Sequence, residues 1–245
     1  MTGSTHDAAA GPWARSGVRG SVAVMQPYFY PYAGYFRLFA AAERFVLFDC
    51  VQFPRRGRVH RTEVIGPGGR VEWLTLPLAR QARDTLICDL AFAPGARARL
   101  DAELRRLPWI DAASGEAAER VREHLHSPLE SVVDFLAQGL EVTCGLLGLP
   151  GPALRSSSLR VDPQLRGQDR ILEIVRRVGA DRYINAPGGR DLYDPAKFSL
   201  AGVELLFLPR FEGQVYRMFP ALMAGDPAAI RAEILGFGAL QAAGG

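Results

Sequence analysis

Polar side chains capable of chemistry follow the first apolar run of the chain, "SVAVM". Gln26, Tyr28 and Tyr30 come directly after it, and an amide or a phenol can hydrogen-bond a substrate oxygen or nitrogen. We predict that Gln26 takes part in catalysis and that Tyr28 and Tyr30 bind substrate. The competing interpretation is that these rings pack in the core, and it is the better one for Tyr35, which lies at helical spacing with apolar neighbours.

A second group follows the apolar run "FVLFDCV". We predict that Asp49 or His60 acts as a general base and that Gln52 binds substrate. The next residues, "PRRGRVHR", carry four arginines and one histidine. We expect Arg56 and Arg61 to hold a phosphate or carboxylate, because the guanidinium fork matches such anions. A solvated basic turn is the alternative.

Three further candidates come from the second half of the chain. Ser157 lies in the run "SSSL", Asn185 ends the apolar segment "RYIN", and Tyr193 follows "APGGRDL". We predict that all three bind substrate. The serines are also compatible with an edge strand or a loop, and "APGG" is more often a turn than an anion cradle.

The elements that must position these residues form a strand–helix–strand unit, a hairpin turned by "GPGG", several helices, and then a β-α-β-β series. We predict strands at "TLICDLAFAP" and "ALRSSSL" as well. This order predicts an α/β fold with a Rossmann-like, mainly parallel sheet. We expect a single domain over residues 21–245, a helical insertion over about 96–149, and a disordered leader over residues 1–20. Ligands of such sheets bind beyond the carboxyl ends of the strands, so the candidate residues are expected to converge there.

Composition excludes several classes of protein. The net charge of +3 argues against a nucleic-acid binder. No apolar run is long enough to span a membrane, the N-terminal residues lack a signal peptide, and three widely spaced cysteines argue against a disulfide framework. We therefore expect a cytoplasmic protein. No metal-binding motif is present, and we expect neither a metal nor a cofactor.

Cys50 is a candidate nucleophile with His60 as its base. Neighbouring strand residues project to opposite faces, so Asp49 and Cys50 are not expected to share one site. A small buried hydrophobe is the more ordinary role for a free cysteine.

The segments "MQPYFYPYAGYF", "FVLFDCVQFPRRGRVHRTEV" and "ILEIVRRVGADRYINAPGGRDLYD" resemble the WbqC-like family, and the resemblance covers roughly residues 22–219. It implies a place in surface-polysaccharide, O-antigen or natural-product biosynthesis. Cys50 and His60 depart from the family pattern, which has a polar residue and an asparagine there. The motif positions carried over are Gln26, Pro27, Tyr35, Asp49, Gln52, Arg61 and Tyr193.

The leading hypothesis is a transferase that moves an acyl or aminoacyl group from a carrier thioester to an amine or hydroxyl. Its partners would be a small-molecule or sugar-linked substrate and an acyl carrier protein. Two alternatives stay open at this point. One is a nucleotide-dependent enzyme, since the first strand and loop also resemble nucleotidyltransferases. The other is a non-catalytic binding subunit.

Overall fold

A computed structural model describes residues 20–236 and 238–243. The predicted leader lies outside these residues except for Gly20. The strands are β1 Gly20–Met25, β2 Arg44–Leu47, β3 Arg61–Ile65, β4 Val71–Thr75, β5 Leu154–Arg155, β6 Ala180–Asn185, β7 Glu204–Phe207 and β8 Gln241–Ala242. The helices are α1 Ala33–Ala41, α2 Ala96–Arg105, α3 Trp109–Ala112, α4 Glu116–His126, α5 Val132–Leu146, α6 Gly167–Arg177, α7 Pro195–Leu200, α8 Met218–Met223 and α9 Pro227–Leu235.

The main sheet has the strand order β5-β2-β1-β6-β7-β8 and is parallel except for β8. β1 and β2 are parallel neighbours in the register Val22↔Arg44 to Met25↔Leu47, with α1 as the crossover between them. The predicted mainly parallel, Rossmann-like α/β sheet is therefore confirmed. Helices α2 to α5 occupy the region for which a helical insertion was expected.

Each face of the sheet buries its own core because alternate strand residues point to opposite sides. Ala23, Phe45 and Leu47 pack on one face with α1, α4, α5, α8 and α9. Val22 and Val46 pack on the other face with α6 and α7. Helix α6, together with Val178 directly after it, supplies an apolar stripe at helical spacing, formed by Ile171, Ile174, Val175 and Val178.

The predicted hairpin is present as the antiparallel pair β3–β4. Its turn is the short 3₁₀ segment Pro67–Gly69, in which Gly68 and Gly69 have φ of 76° and 75°. A side chain would strain both positions, so the two glycines are what make this turn accessible.

Two predicted strands are shorter or absent. "TLICDLAFAP" contains the 3₁₀ segment Ile87–Asp89 and, within the described part of the chain, pairs only through the isolated bridges Gln52↔Leu86 and Leu78↔Phe92. "ALRSSSL" forms the two-residue strand β5 and then the 3₁₀ segment Ser156–Leu159. The chain turns there because Ser156 and Ser157 bond to Asp49 rather than to a neighbouring strand.

No helix in the described part of the chain has the length and apolar character needed to cross a bilayer.

Candidate functional site

A cleft of about 750 Å³ lies beyond the carboxyl end of β2, on the face that carries α6. We call it the β2 cleft. Its walls are largely apolar and include Phe48, Val51, Leu86 and Ile171. The polar side chains predicted for the site that border it are Gln52, Ser157 and Tyr193. The sheet thus brings together residues from three separate strand exits, as expected for a parallel α/β fold.

The Asp49 carboxylate lies behind the wall of the β2 cleft and is 1% exposed. Its Oδ1 accepts hydrogen bonds from the Ser156 hydroxyl at 2.9 Å and the Ser157 backbone N–H at 2.8 Å. Its Oδ2 accepts the Ser157 hydroxyl at 2.7 Å. Because Ser157 borders the cleft and Asp49 does not, the Ser157 hydroxyl links the buried carboxylate to the cleft.

The Ser156 hydroxyl holds the end of β2 in place. Besides donating to Asp49, its Oγ accepts the backbone N–H groups of Asp49 at 3.0 Å and Cys50 at 3.1 Å. Ser156 is 1% exposed. A buried network in which each group has a partner is rigid, so the orientation of Ser157 is determined by the fold.

Arg170, on α6, closes one wall of the β2 cleft. Its guanidinium donates to the carbonyl oxygens of Leu165 at 2.9 Å, Cys50 at 2.6 Å and Pro163 at 3.2 Å. These three bonds tie α6 and the loop before it to the end of β2. The guanidinium of Arg170 is therefore a clamp on the backbone rather than a group free to bind a ligand.

Two thiols border the β2 cleft, those of Cys50 and Cys88. The Cys88 backbone N–H donates to the Asp49 carbonyl oxygen at 2.9 Å, which places the two cysteine-bearing segments side by side. Burial raises the pKa of the Cys88 thiol to about 11, and the nearby carboxylates of Asp89 and Asp49 add to the effect. The Cys88 thiol is accordingly protonated at neutral pH.

Tyr193 is positioned from β6. Its hydroxyl lies 3.1 Å from that of Tyr183 and accepts a hydrogen bond from Asn185 Nδ2 at 3.2 Å. Asn185 Oδ1 in turn accepts the Ala186 backbone N–H at 2.8 Å. Asn185 is 4% exposed and does not border the cleft, so its contacts orient Tyr193 rather than reach into the cleft.

The residues after β1 do not border the β2 cleft. Tyr30 is 4% exposed, and its hydroxyl bonds His124 Nδ1 at 2.8 Å in the core. Its φ of 45° is unusual for an aromatic residue and turns the ring inward. The Tyr28 ring lies 5.4 Å from that of Tyr35, whose hydroxyl donates to the Gln26 carbonyl oxygen at 2.8 Å.

The arginine loop is also separate from the β2 cleft. Arg56 is exposed. The Arg61 guanidinium donates to the carbonyl oxygens of Gly57, at 3.0 Å, and Arg56, and it lies over the Trp73 ring, 4.3 Å from its centroid. Arg61 is thus engaged in closing its own loop. His60 lies in a different cleft, at the edge of the hairpin.

Sequence reasoning did not identify Leu86, Cys88 or Arg170 as parts of the site. Leu86 and Cys88 reach it because their segment pairs with residues 51–53, through contacts such as Ile87 N to Val51 O at 2.9 Å. Arg170 precedes Ile171 on an amphipathic helix, a pattern that typically indicates a solvated arginine. No local signal distinguishes these three residues.

Among residues 20–236 and 238–243, no three His, Cys, Asp or Glu side chains are grouped so that they could hold a metal ion.

The protein has an α/β fold with a cleft beyond the carboxyl end of β2. The model of the WbqC-like protein family matches residues 26–221, and the chain belongs to this family. The chain is also similar to a Mycobacterium tuberculosis protein described as "Uncharacterized protein Rv1507c". The two are 22% identical over 221 residues, which cover 87% of this chain and 92% of the relative. No solved structure matches the chain significantly.

Proposed function

We propose that this WbqC-like protein transfers an acyl or aminoacyl group from a carrier thioester to an amine or hydroxyl acceptor, in surface-polysaccharide or natural-product biosynthesis. The observation that carries the proposal is the β2 cleft itself. Apolar walls meet a serine hydroxyl that is hydrogen-bonded to a buried carboxylate. The β2 cleft, at about 750 Å³, lies within the usual range for small-molecule sites, roughly 300–1,000 Å³.

The apolar walls suit the acyl chain. Phe48, Val51, Leu86 and Ile171 offer aliphatic and aromatic surface that an acyl chain can cover without leaving polar atoms unpaired. Gln52 and Tyr193 border the same cleft and supply hydrogen-bonding groups for the carbonyl end or the acceptor. Asp84, Arg166, Gln168 and Arg170 border the cleft as well, so its apolar walls are combined with polar and charged groups. Such a combination suits an apolar chain with one reactive, polar end.

Acyl transfer requires that the acceptor lose a proton while its nitrogen or oxygen attacks the thioester carbonyl. In our proposal the acceptor gives its proton to Ser157 Oγ, and the Ser157 hydroxyl proton passes to Asp49 Oδ2, 2.7 Å away. The new C–N or C–O bond forms, the C–S bond breaks, and the carrier thiolate leaves and takes up a proton. Ser157 thus relays the proton that Asp49 accepts.

This proposal assigns the general base to Asp49 and not to His60. His60 does not border the β2 cleft, whereas Asp49 is one hydrogen bond away from it. Cys50 borders the cleft, but its backbone groups make the contacts that hold β2, through Ser156 and Arg170. The mechanism needs no covalent acyl-cysteine intermediate.

The test measures binding and transfer with acyl-pantetheine thioesters of increasing chain length. Calorimetry gives their affinity, and mass spectrometry follows acyl transfer to a panel of amino sugars and amino acids. Ser157→Ala is expected to lower the transfer rate by roughly 10²-fold or more, since general base catalysis typically contributes about 10²–10⁴-fold. Ser158→Ala is the matched control, because the Ser158 hydroxyl donates to the Arg155 carbonyl oxygen and Ser158 does not border the β2 cleft.

Three results would contradict the proposal. Equal transfer by the Ser157→Ala and Ser158→Ala variants would remove Ser157 from the mechanism. If the protein does not bind acyl-pantetheines but ATP or CTP raises its melting temperature, it is a nucleotide-dependent enzyme instead. Acyl-pantetheine binding without transfer to any acceptor would favour a non-catalytic binding subunit.

A further inference from the structure

A second cleft, of about 480 Å³, lies at the edge of the β3–β4 hairpin. We call it the hairpin cleft. The side chains that matter for its chemistry are Arg55, His60, Thr75 and Arg80. They come from the loop before β3 and from the end of β4 with the residues that follow it, so the two stretches that flank the hairpin meet at this cleft.

The hairpin cleft carries positive charge without a matching negative one. Its lining, in the described part of the chain, contains no aspartate or glutamate. The Arg55 Nη2 donates to the Gln81 carbonyl oxygen at 3.0 Å, which orients the guanidinium and leaves its other donors available. Arg80 is exposed. No ion pair among the described residues involves either arginine.

His60 provides an independent indication of a ligand. Its Nδ1 is buried and has no hydrogen-bond partner. The ring packs edge-on against Phe53, with the ring centroids 5.0 Å apart, so its orientation is held by the fold. Buried polar atoms in proteins are nearly always paired, and an unpaired one in a residue that lines a cleft points to a missing partner. Burial and the neighbouring Arg61 lower the pKa of His60, so the imidazole is neutral at pH 7 and has one N–H to donate.

We propose that the hairpin cleft binds a phosphate group, held by the guanidinium groups of Arg55 and Arg80 and by the Nδ1–H of His60. Two guanidinium groups balance the charge of a phosphate dianion and present planar donor pairs to its oxygens. The Thr75 hydroxyl, at the same cleft, can donate to a further oxygen. This inference goes beyond the proposed acyl transfer and does not depend on it.

The hairpin cleft is distinct from the β2 cleft. Gln52 borders the β2 cleft and Phe53 borders the hairpin cleft, and neighbouring residues of an extended segment point to opposite sides. The segment 51–53 therefore separates the two clefts. The arginines of the proposed phosphate site are Arg55 and Arg80, whereas the sequence led us to expect Arg56 and Arg61.

Calorimetric titration tests the site, with inorganic phosphate as the first ligand in a chloride buffer of low ionic strength. We expect one phosphate per chain. Arg55→Ala and Arg80→Ala should each weaken its binding by roughly 10- to 100-fold, the loss typical of a charge-assisted hydrogen bond. Arg70→Ala is the charge-matched control, since Arg70 is exposed at the hairpin turn and borders neither cleft. It should bind phosphate within about twofold of the wild type.

Nitrogen NMR of the imidazole distinguishes phosphate that binds at His60 from phosphate that is attracted nonspecifically by positive charge. Phosphate should shift the Nδ1 resonance of His60, which the His60→Gln variant identifies by its absence. Tighter binding of 4′-phosphopantetheine than of inorganic phosphate, with none for pantetheine, would identify a carrier arm as the source of the phosphate. Equal binding of both phosphates would identify a simple phosphate site. Equal weakening by Arg70→Ala, or an unmoved His60 resonance at saturating phosphate, would overturn the proposal.

Discussion

Ser157 donates twice to the carboxylate of Asp49, from its backbone N–H at 2.8 Å and from its hydroxyl at 2.7 Å. The two residues are 108 positions apart in the chain and come from different strand exits. The pairing therefore depends on the tertiary structure. Because it joins the β2–β5 edge of the sheet to the wall of the β2 cleft, a change at Asp49 should affect both the stability of that edge and the chemistry of the cleft.

Asp49→Asn is expected to destabilise the fold. Hydrogen bonds to a charged group are worth about 1.5–3 kcal/mol each, and the amide replaces one acceptor oxygen with a donor that faces other donors. We expect the free energy of unfolding to fall by about 2–4 kcal/mol, measured by urea denaturation at pH 7. Asp84→Asn, at an exposed carboxylate on the rim of the same cleft, should change it by less than about 0.5 kcal/mol. Equal effects of the two variants would show that the Asp49 network adds no stability.

His124 makes the stability depend on acid pH. Its Nε2 lies 2.8 Å from the Phe135 carbonyl oxygen and must donate to it, so Nδ1 accepts the Tyr30 hydroxyl. Burial lowers the pKa of His124 to about 4. In the unfolded chain the pKa is about 6.5, so the unfolded state binds the proton first and stability falls as the pH drops from about 6.5 to about 4.

The size of this effect follows from the same two pKa values. The gap between about 4 and about 6.5 corresponds to about 3 kcal/mol. Urea denaturation of the wild type and of His124→Gln at pH 7 and at pH 4 measures it. The wild type should lose about 3 kcal/mol more than the variant over this range, whatever their difference at pH 7. Parallel losses would mean that His124 protonates in the folded state.

The parallel β1–α1–β2 unit could be predicted because each element carries its own local pattern. The chain shows an apolar run, a segment with helical spacing and a second apolar run. A connection that contains a helix is too long for a hairpin, so the two strands are expected to be parallel. Asp49 and Ser157 could be named for a similar reason, since polar residues directly after buried strands tend to meet at one edge of the sheet. Their mutual hydrogen bonds could not be predicted, because they depend on the register of β5.

The role of Tyr30 could not be predicted from local pattern. Its direction depends on a left-handed backbone conformation and on a histidine 94 positions away. The arginine loop is a similar case. The sequence shows how many guanidinium groups are present but not which of them are already occupied by carbonyl oxygens, as those of Arg61 and Arg170 are.

Arg61→Ala is expected to act on stability rather than on ligand binding. The guanidinium bonds two loop carbonyls and covers the Trp73 ring, and truncation would remove both contacts. We expect a loss of about 1–2 kcal/mol in the free energy of unfolding. Arg56→Ala, at an exposed neighbour, should change it by less than about 0.5 kcal/mol. A large loss of phosphate or acyl-pantetheine affinity in Arg61→Ala, with an unchanged unfolding curve, would restore the sequence-based expectation for this loop.

The Cys88 thiol should react slowly at neutral pH, and the Cys50 thiol should be dispensable for transfer. In a Cys50→Ala chain the reaction with iodoacetamide reports on Cys88, because Cys144 is 1% exposed. With a pKa of about 11, the Cys88 thiolate fraction rises about tenfold per pH unit from pH 8 to pH 10, and the alkylation rate should rise with it. An ordinary thiol would level off near pH 9.

The same Cys50→Ala chain should keep acyl-pantetheine affinity and transfer within about threefold of the wild type, since the contacts of Cys50 that hold β2 come from its backbone. Abolished transfer at an unchanged melting temperature would instead make Cys50 the nucleophile, and the relay through Ser157 would have to be abandoned.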